Sequence, residues 1–240
     1  MKGLGFQFKQ FFIQHARCAM KVGTDSIMLG SWINVGAAKH ILDIGTGSGL
    51  LALMLAQKAD SDCKIIGIDI EAGAIQQAKE NALACPWAEK LNFEHVELQR
   101  YSTVLNYDLI VCNPPYFVVN QTANSQHSQA KRLTARQTKD LSHAELLSFV
   151  VKYLTDSGYL YCVLPAEVGR FFIQLAADMG LYCRSKLEVK SKFNGKPIRF
   201  LLQFSKVKSI MKSQSISIHQ ANGEYSVDYK TLCREYYLNF

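Results

Sequence analysis

Asp43-Ile44-Gly45-Thr46-Gly47-Ser48-Gly49 stands between a short apolar run, His40–Ile44, and a helically spaced one, Leu50–Lys58. Glycines at every second position let a backbone turn tightly and lie against a ligand without Cβ clashes. A dinucleotide fingerprint, G-x-G-x-x-G, would need glycine where this chain has Leu50, and it has no use for an acid two residues ahead of its first glycine. A Walker-type phosphate loop is excluded as well, because no Gly-Lys-Ser/Thr follows. Outward from the loop, strand-like and helix-like stretches alternate. Residues 64–70 are β-branched and 72–84 are alanine-rich and helical, while 91–98 and 107–112 read as two more strands. An amphipathic helix is expected over 141–154, a buried strand over 158–164 and a helix over 168–179, stopping at Gly180. Two alternating runs, 181–189 and 198–204, then flank the turn signal Asn194-Gly195. This order predicts an α/β fold, a mostly parallel seven-stranded sheet with helices on both faces. Strands joined by a tight turn cannot both be parallel to it, so one antiparallel strand is expected near one edge.

Composition narrows the class. The chain has 240 residues, enough for one domain with a real core, and its 48% hydrophobic and 20% charged residues exclude disorder, collagen and coiled coil. No apolar run reaches the length of a membrane helix, and the first residues lack a signal-peptide layout. Seven cysteines, odd in number and nowhere spaced C-x-x-C, read as reduced thiols in a cytoplasmic protein. The six histidines form no ligand spacing, so no metal is expected. The net charge of +7 is concentrated: residues 184–212 hold nine Lys and Arg against Glu188, so the rest of the chain sums to −1. A weaker excess covers 1–39. Such a cluster fits a solvated face, an acidic protein partner or a phosphate-contacting surface.

Asp69 closes the strand after the glycine loop, 26 residues beyond Asp43. A carboxylate there can accept both hydroxyls of a ribose, or cap the helix that follows. The pattern D-x-G-x-G-x-G resembles the first motif of the S-adenosylmethionine-dependent methyltransferases. That resemblance implies a loop of Gly45, Gly47 and Gly49 cradling the methionine part of S-adenosyl-L-methionine, with Asp43 holding its amino group.

Asn113-Pro114-Pro115-Tyr116 follows the strand over 107–112, at the end where open sheets bind ligands. As a plain structural feature it is a rigid turn. As chemistry it suits a planar, weakly nucleophilic nitrogen. The Asn113 side-chain oxygen and the Pro114 carbonyl can each accept one N–H, holding that nitrogen toward a tetrahedral state. Pro114 and Pro115 stiffen the backbone, and Tyr116 offers a ring to stack on the substrate. The motif resembles the signature of enzymes methylating adenine N6, ribosomal guanine N2 or release-factor glutamine N5.

Further stretches separate these. Phe6-Gln7-Phe8-Lys9-Gln10-Phe11-Phe12, Met20-Lys21-Val22-Gly23-Thr24-Asp25, Leu29-Gly30-Ser31-Trp32, DIGTGSGLLALMLAQ (43–57), Pro86-Trp87-Ala88-Glu89 and NPPYF (113–117) together resemble the bacterial tRNA(Val) adenine-N6-methyltransferase family. The likeness runs over nearly the whole chain, 222–240 included, and implies methylation of the adenine beside the anticodon, at position 37. It implies a single domain over 1–240, with 1–39 covering the site, 184–212 a basic strand-turn-strand and 213–240 a C-terminal extension. Thr24 and Asp25 would close over the methionine end of the cofactor. Asp69 with Ile70, and Glu97 with Leu98, would hold its ribose and adenine, Glu97 standing where relatives usually carry aspartate. Tyr116 and Phe117 would stack on a flipped adenine, and Arg132, Arg136, Lys190, Lys192, Lys196 and Arg199 would meet the RNA. The expected partner is tRNA, the expected state a monomer, and neither metal nor membrane is called for. A release-factor enzyme would need a separate N-terminal helical domain, which 39 residues cannot supply. An idle RNA-binding protein would not be expected to keep Asp43 and Asn113.

Overall fold

The computed structural model describes residues 5–114 and 142–240. In chain order the first elements are β1 (Gly5–Gln7), β2 (Phe12–Gln14), α1 (Thr24–Trp32), β3 (His40–Ile44), α2 (Leu50–Lys58), β4 (Lys64–Asp69), α3 (Ala72–Leu83) and β5 (Leu91–His95). After them come β6 (Tyr107–Cys112), α4 (His143–Tyr153), β7 (Leu154–Pro165) and α5 (Ala166–Asp178). The chain ends with β8 (Tyr182–Lys192), β9 (Pro197–Ser205), β10 (Lys212–His219) and α6 (Val227–Cys233).

The apolar runs on either side of the glycine loop occupy the middle of one sheet, ordered β10-β8-β9-β7-β6-β3-β4-β5. All its pairings are parallel except those of β9, which runs antiparallel to both β7 and β8. The Asn194-Gly195 turn joins β8 to β9 as expected, with Asn194 at φ 65°. Among the described residues the sheet has eight strands rather than the expected seven. The extra one, β10, lies in the stretch taken as a C-terminal extension. Its sequence Lys-Ser-Gln-Ser-Ile-Ser-Ile-His is polar over its first half and only half-buried beyond, so an edge strand there leaves almost no apolar signature. The strand expected over 91–98 stops at His95, because the Val96 amide turns to donate to the Asp69 carbonyl and Glu97 opens a 3-10 turn.

Each face of the sheet is buried. Ile41, Leu109, Val111, Tyr161 and Val163 pack under α1, α2, α3 and α6, while Leu42, Ile110, Cys162 and Leu202 pack under α4 and α5. The α2 helix is buried on every side from Leu50 to Ala56, as a helix enclosed on all faces requires. The covering material comes from both chain ends. Lys9 donates its backbone N–H to the Tyr236 carbonyl, and the Tyr236 hydroxyl donates to the Met54 carbonyl at 2.8 Å. The C-terminal tyrosines thus anchor the last helix, with Tyr229 and Tyr236 fully buried. Lys58 Nζ donates to the carbonyls of Gly30, Ser31 and Ile33, capping the C-terminal end of α1. Burial lowers that amine to about 8. All seven cysteines are free and buried. Among the described residues no helix is long and apolar enough to cross a membrane.

Candidate active site

Strand registers bring the motifs together. Ile44 pairs with both Ile68 and Cys112, so Gly45, Asp69 and Asn113 leave three adjacent strands side by side at their carboxyl ends. This is the edge where open α/β sheets take ligands.

The glycine loop is held from below. The Gly45 and Thr46 amides donate to the Ile68 carbonyl at 2.9 and 3.0 Å. Gly45 and Gly47 sit at φ 69° and 57°, with nothing within 4 Å of where a Cβ would stand, so their surface opens outward. Gly49, at φ 82°, has the opposite reason to be glycine, since a Cβ would stand 3.2 Å from Ala78, Leu53 and Phe93. Asp43 is wholly buried at the base of the loop. Its Oδ2 accepts from Thr46 Oγ1 at 2.7 Å and from the Ala52 amide at 3.2 Å, whereas its Oδ1 is buried without a hydrogen-bond partner. Burial raises this carboxyl from 3.8 to about 7, against the lowering effect of those two bonds.

Asp69 Oδ2 accepts from the Gly47 amide at 2.8 Å, and its Oδ1 accepts from the Glu71 amide at 2.9 Å. The carboxylate therefore braces the loop and the entry to α3 together. Ile70 is exposed beside it, and the Val96-to-Asp69 bond sets Glu97 and the buried Leu98 alongside. Glu97 is half exposed and ion-paired with Arg100 at 3.2 Å.

The facing wall comes from the N-terminal block. Residues 20–26, Gly45–Ser48, Asn113 and Arg199 line a cleft of about 370 Å³. Thr24 and Asp25 thus line the same cleft as the glycine loop. Asn113 Nδ2 donates to Ser26 Oγ at 2.9 Å. Arg199, grouped by sequence with RNA-contacting residues, instead lines this cleft, its Nε 2.8 Å from Asp25 Oδ2. The β7–β9 register pairs Pro165 with Arg199, which draws its base to the carboxyl edge of the sheet. Lys190, Lys192 and Lys196 stand at the β8–β9 turn on that same edge, with Lys192 and Lys196 exposed. Ser26 was missed, as nothing local distinguishes it from any serine in a first helical turn. Pro114 is buried beside Asn113, whereas Pro115, Tyr116, Phe117, Arg132 and Arg136 lie outside the described residues.

A larger cavity, about 570 Å³, is lined by Trp32, Asn34, Asp108, Tyr159, Tyr161 and Gln203 at the amino ends of β6 and β7. None of Asp43, the loop glycines, Asp69 or Asn113 lines it, and it lies on the wrong edge of the sheet. Among the described residues no group of His, Cys, Asp and Glu is placed to hold a metal ion.

A family model described as "Methyltransferase small domain" matches residues 16–154. The chain is 44% identical to the tRNA1(Val) (adenine(37)-N6)-methyltransferase of Pseudoalteromonas atlantica, covering 100% of both chains. It is 40% identical to the protein of that name from Klebsiella pneumoniae, over 98% of this chain and 95% of the other. The chain belongs to the tRNA1(Val) (adenine(37)-N6)-methyltransferase family. Solved structures agree on the fold of this family member. A predicted O-methyltransferase from Agrobacterium tumefaciens superposes with a TM-score of 0.64 at 12% identity, covering 88% of this chain and 96% of that one. A TehB-like SAM-dependent methyltransferase from Corynebacterium glutamicum gives 0.50 at 16% identity, covering 77% and 89%. The α/β sheet, mostly parallel with β9 reversed, is the Rossmann-like class I methyltransferase fold.

Proposed function

We propose that this chain transfers a methyl group from S-adenosyl-L-methionine to N6 of adenine 37 in tRNA1(Val), the reaction for which its full-length relatives are named. One observation carries the reading: Asn113, at the head of the Asn-Pro-Pro-Tyr motif, lines the same cleft as the glycine loop.

The cleft fits the cofactor. Asp43 Oδ1, buried and without a partner, is an acceptor suited to an ammonium group. Gly45 and Gly47 open toward the cleft and would lie against the methionine portion, with Thr24 and Asp25 opposite. Asp69 would take the ribose hydroxyls, and Ile70, Glu97 and Leu98 the adenine. When bound, S-adenosyl-L-methionine supplies an electrophilic methyl on a sulfonium.

The protein's part is to make a poor nucleophile available. Asn113 Oδ1 and the Pro114 carbonyl would each accept one N–H of the adenine amino group, turning its delocalised lone pair out of the ring plane. Tyr116 and Phe117 would replace the stacking lost when the base leaves the anticodon loop. No strong base is required, because the proton leaves after the new bond forms. Lys190, Lys192 and Lys196 would hold phosphates beside the cleft, with Arg132 and Arg136 contributing from the segment after the motif. In this reading residues 1–240 act as one domain, a cytoplasmic monomer with tRNA as its partner.

Labelled methyl transfer to tRNA lacking its own modifications tests this, with ribosomal RNA and a release factor in parallel. N6-methyladenosine from the tRNA alone is expected. Label in the release factor would keep the motif's chemistry and overturn the RNA reading.

A further inference from the structure

The first turn of α1 touches the reaction centre through two consecutive residues. Ser26 Oγ accepts from Asn113 Nδ2 at 2.9 Å, and Asp25 Oδ2 is ion-paired with Arg199 Nε at 2.8 Å. Arg199 belongs to β9 and Asn113 follows β6, and these strands flank β7. The turn therefore bridges two strands, roughly 10 Å apart at the usual spacing, across the end of the one between them. At its far end α1 is tied by the three Lys58 bonds, but it begins at Gly23, which has no side chain to cap it. The Asp25–Arg199 pair supplies the missing attachment.

We propose that Ser26 is a positioning residue for Asn113, holding its side chain against the first turn of α1 within the cleft, and that the Asp25–Arg199 pair holds Ser26 in place. The inference rests on the reading of Asn113 as acceptor for the adenine amino group. Pro114 restrains the backbone of Asn113, yet its side-chain torsions keep several wells, so the backbone alone does not fix where the amide lies. The bond to Ser26 confines the Asn113 side chain to a position beside the first turn of α1.

The test compares Ser26→Ala, Ser26→Thr, Arg199→Ala and Asn113→Ala by single-turnover methylation at saturating S-adenosylmethionine and tRNA, with cofactor affinity from calorimetry. Ser26→Ala should slow the single-turnover step about 2- to 10-fold, the range for one lost hydrogen bond between neutral groups. It should shift cofactor affinity by less than about threefold, since the cofactor's own contacts lie elsewhere. Ser26→Thr, which keeps the hydroxyl, should recover most of the rate. Arg199→Ala should slow the same step, and less so when Ser26 is already alanine, because the two act in series. A normal rate in Ser26→Ala beside a dead Asn113→Ala would overturn the proposal. So would equal losses of rate and cofactor affinity in the alanine and threonine variants, which would mark a merely structural serine. Full activity in Asn113→Ala would instead remove the underlying assignment of Asn113.

Discussion

Replacing Asp43 with asparagine should do two opposite things. The carboxyl is wholly buried, keeps one oxygen without a partner and is raised by that burial from 3.8 to about 7. Between those values the folded chain keeps a proton that the unfolded chain has released, so rising pH removes stability. The contribution is fully present below about 4 and gone once the pH has passed 7. A shift of that size corresponds to a swing of about 4 kcal/mol, of which about 3 kcal/mol falls between pH 5 and pH 8. The asparagine variant cannot ionise, so its unfolding free energy should lack that part of the decline. Urea unfolding without cofactor, at pH 5 and pH 8, measures the difference. Affinity for S-adenosylmethionine should move the other way. In the native protein it should tighten as pH rises toward 8, because the ionised carboxylate is the better partner for an ammonium group. In Asp43→Asn it should be weaker at pH 8 by about 10- to 100-fold for the loss of a charged hydrogen bond, and the gap should narrow toward pH 5, where the native carboxyl is protonated. Equal pH slopes of stability in the two proteins would refute the buried, proton-holding state. Unchanged cofactor affinity would refute the assignment of Asp43 to the amino group.

Gly49→Ala meets both a left-handed backbone and three neighbours at 3.2 Å, so a loss of about 2–4 kcal/mol is expected. Gly36→Ala, at φ 53° with nothing within 4 Å, should lose only about 1–2 kcal/mol. Matching midpoint shifts in urea would mean that packing around Gly49 contributes nothing. Lys192→Ala and Lys196→Ala should each reduce the slope of log affinity for tRNA against log salt by about 0.7–0.9, leaving cofactor binding alone. A slope that stays put would take the β8–β9 turn out of the RNA interface.

How much of this was legible in the chain depends on distance along it. The glycine loop, Asp69 and Asn113 each depend on a few neighbouring residues, and all three stand at adjacent strand ends as their spacing predicts. The reversed strand was legible because Asn194-Gly195 dictates a tight turn by local backbone preference. The β10 strand was not, since a serine-rich edge has little apolar alternation to read. Arg199 shows the other limit. By composition it belonged to a basic run, whereas its neighbour in space is Asp25, 174 residues away.

The sequence by itself determined the strand-loop-helix units and the motifs at the strand ends, because dihedral preference and periodicity act over short windows, while the family was legible as a likeness running over nearly the whole chain. Only the tertiary structure decided which walls face each other. Sheet order and register bring β9, β6 and the start of α1 to one cleft, so the Asp25–Arg199 and Ser26–Asn113 contacts exist through strand pairing rather than through any local pattern. The buried carboxyl of Asp43 belongs to the same class, as its raised pKa comes from the layers packed around it.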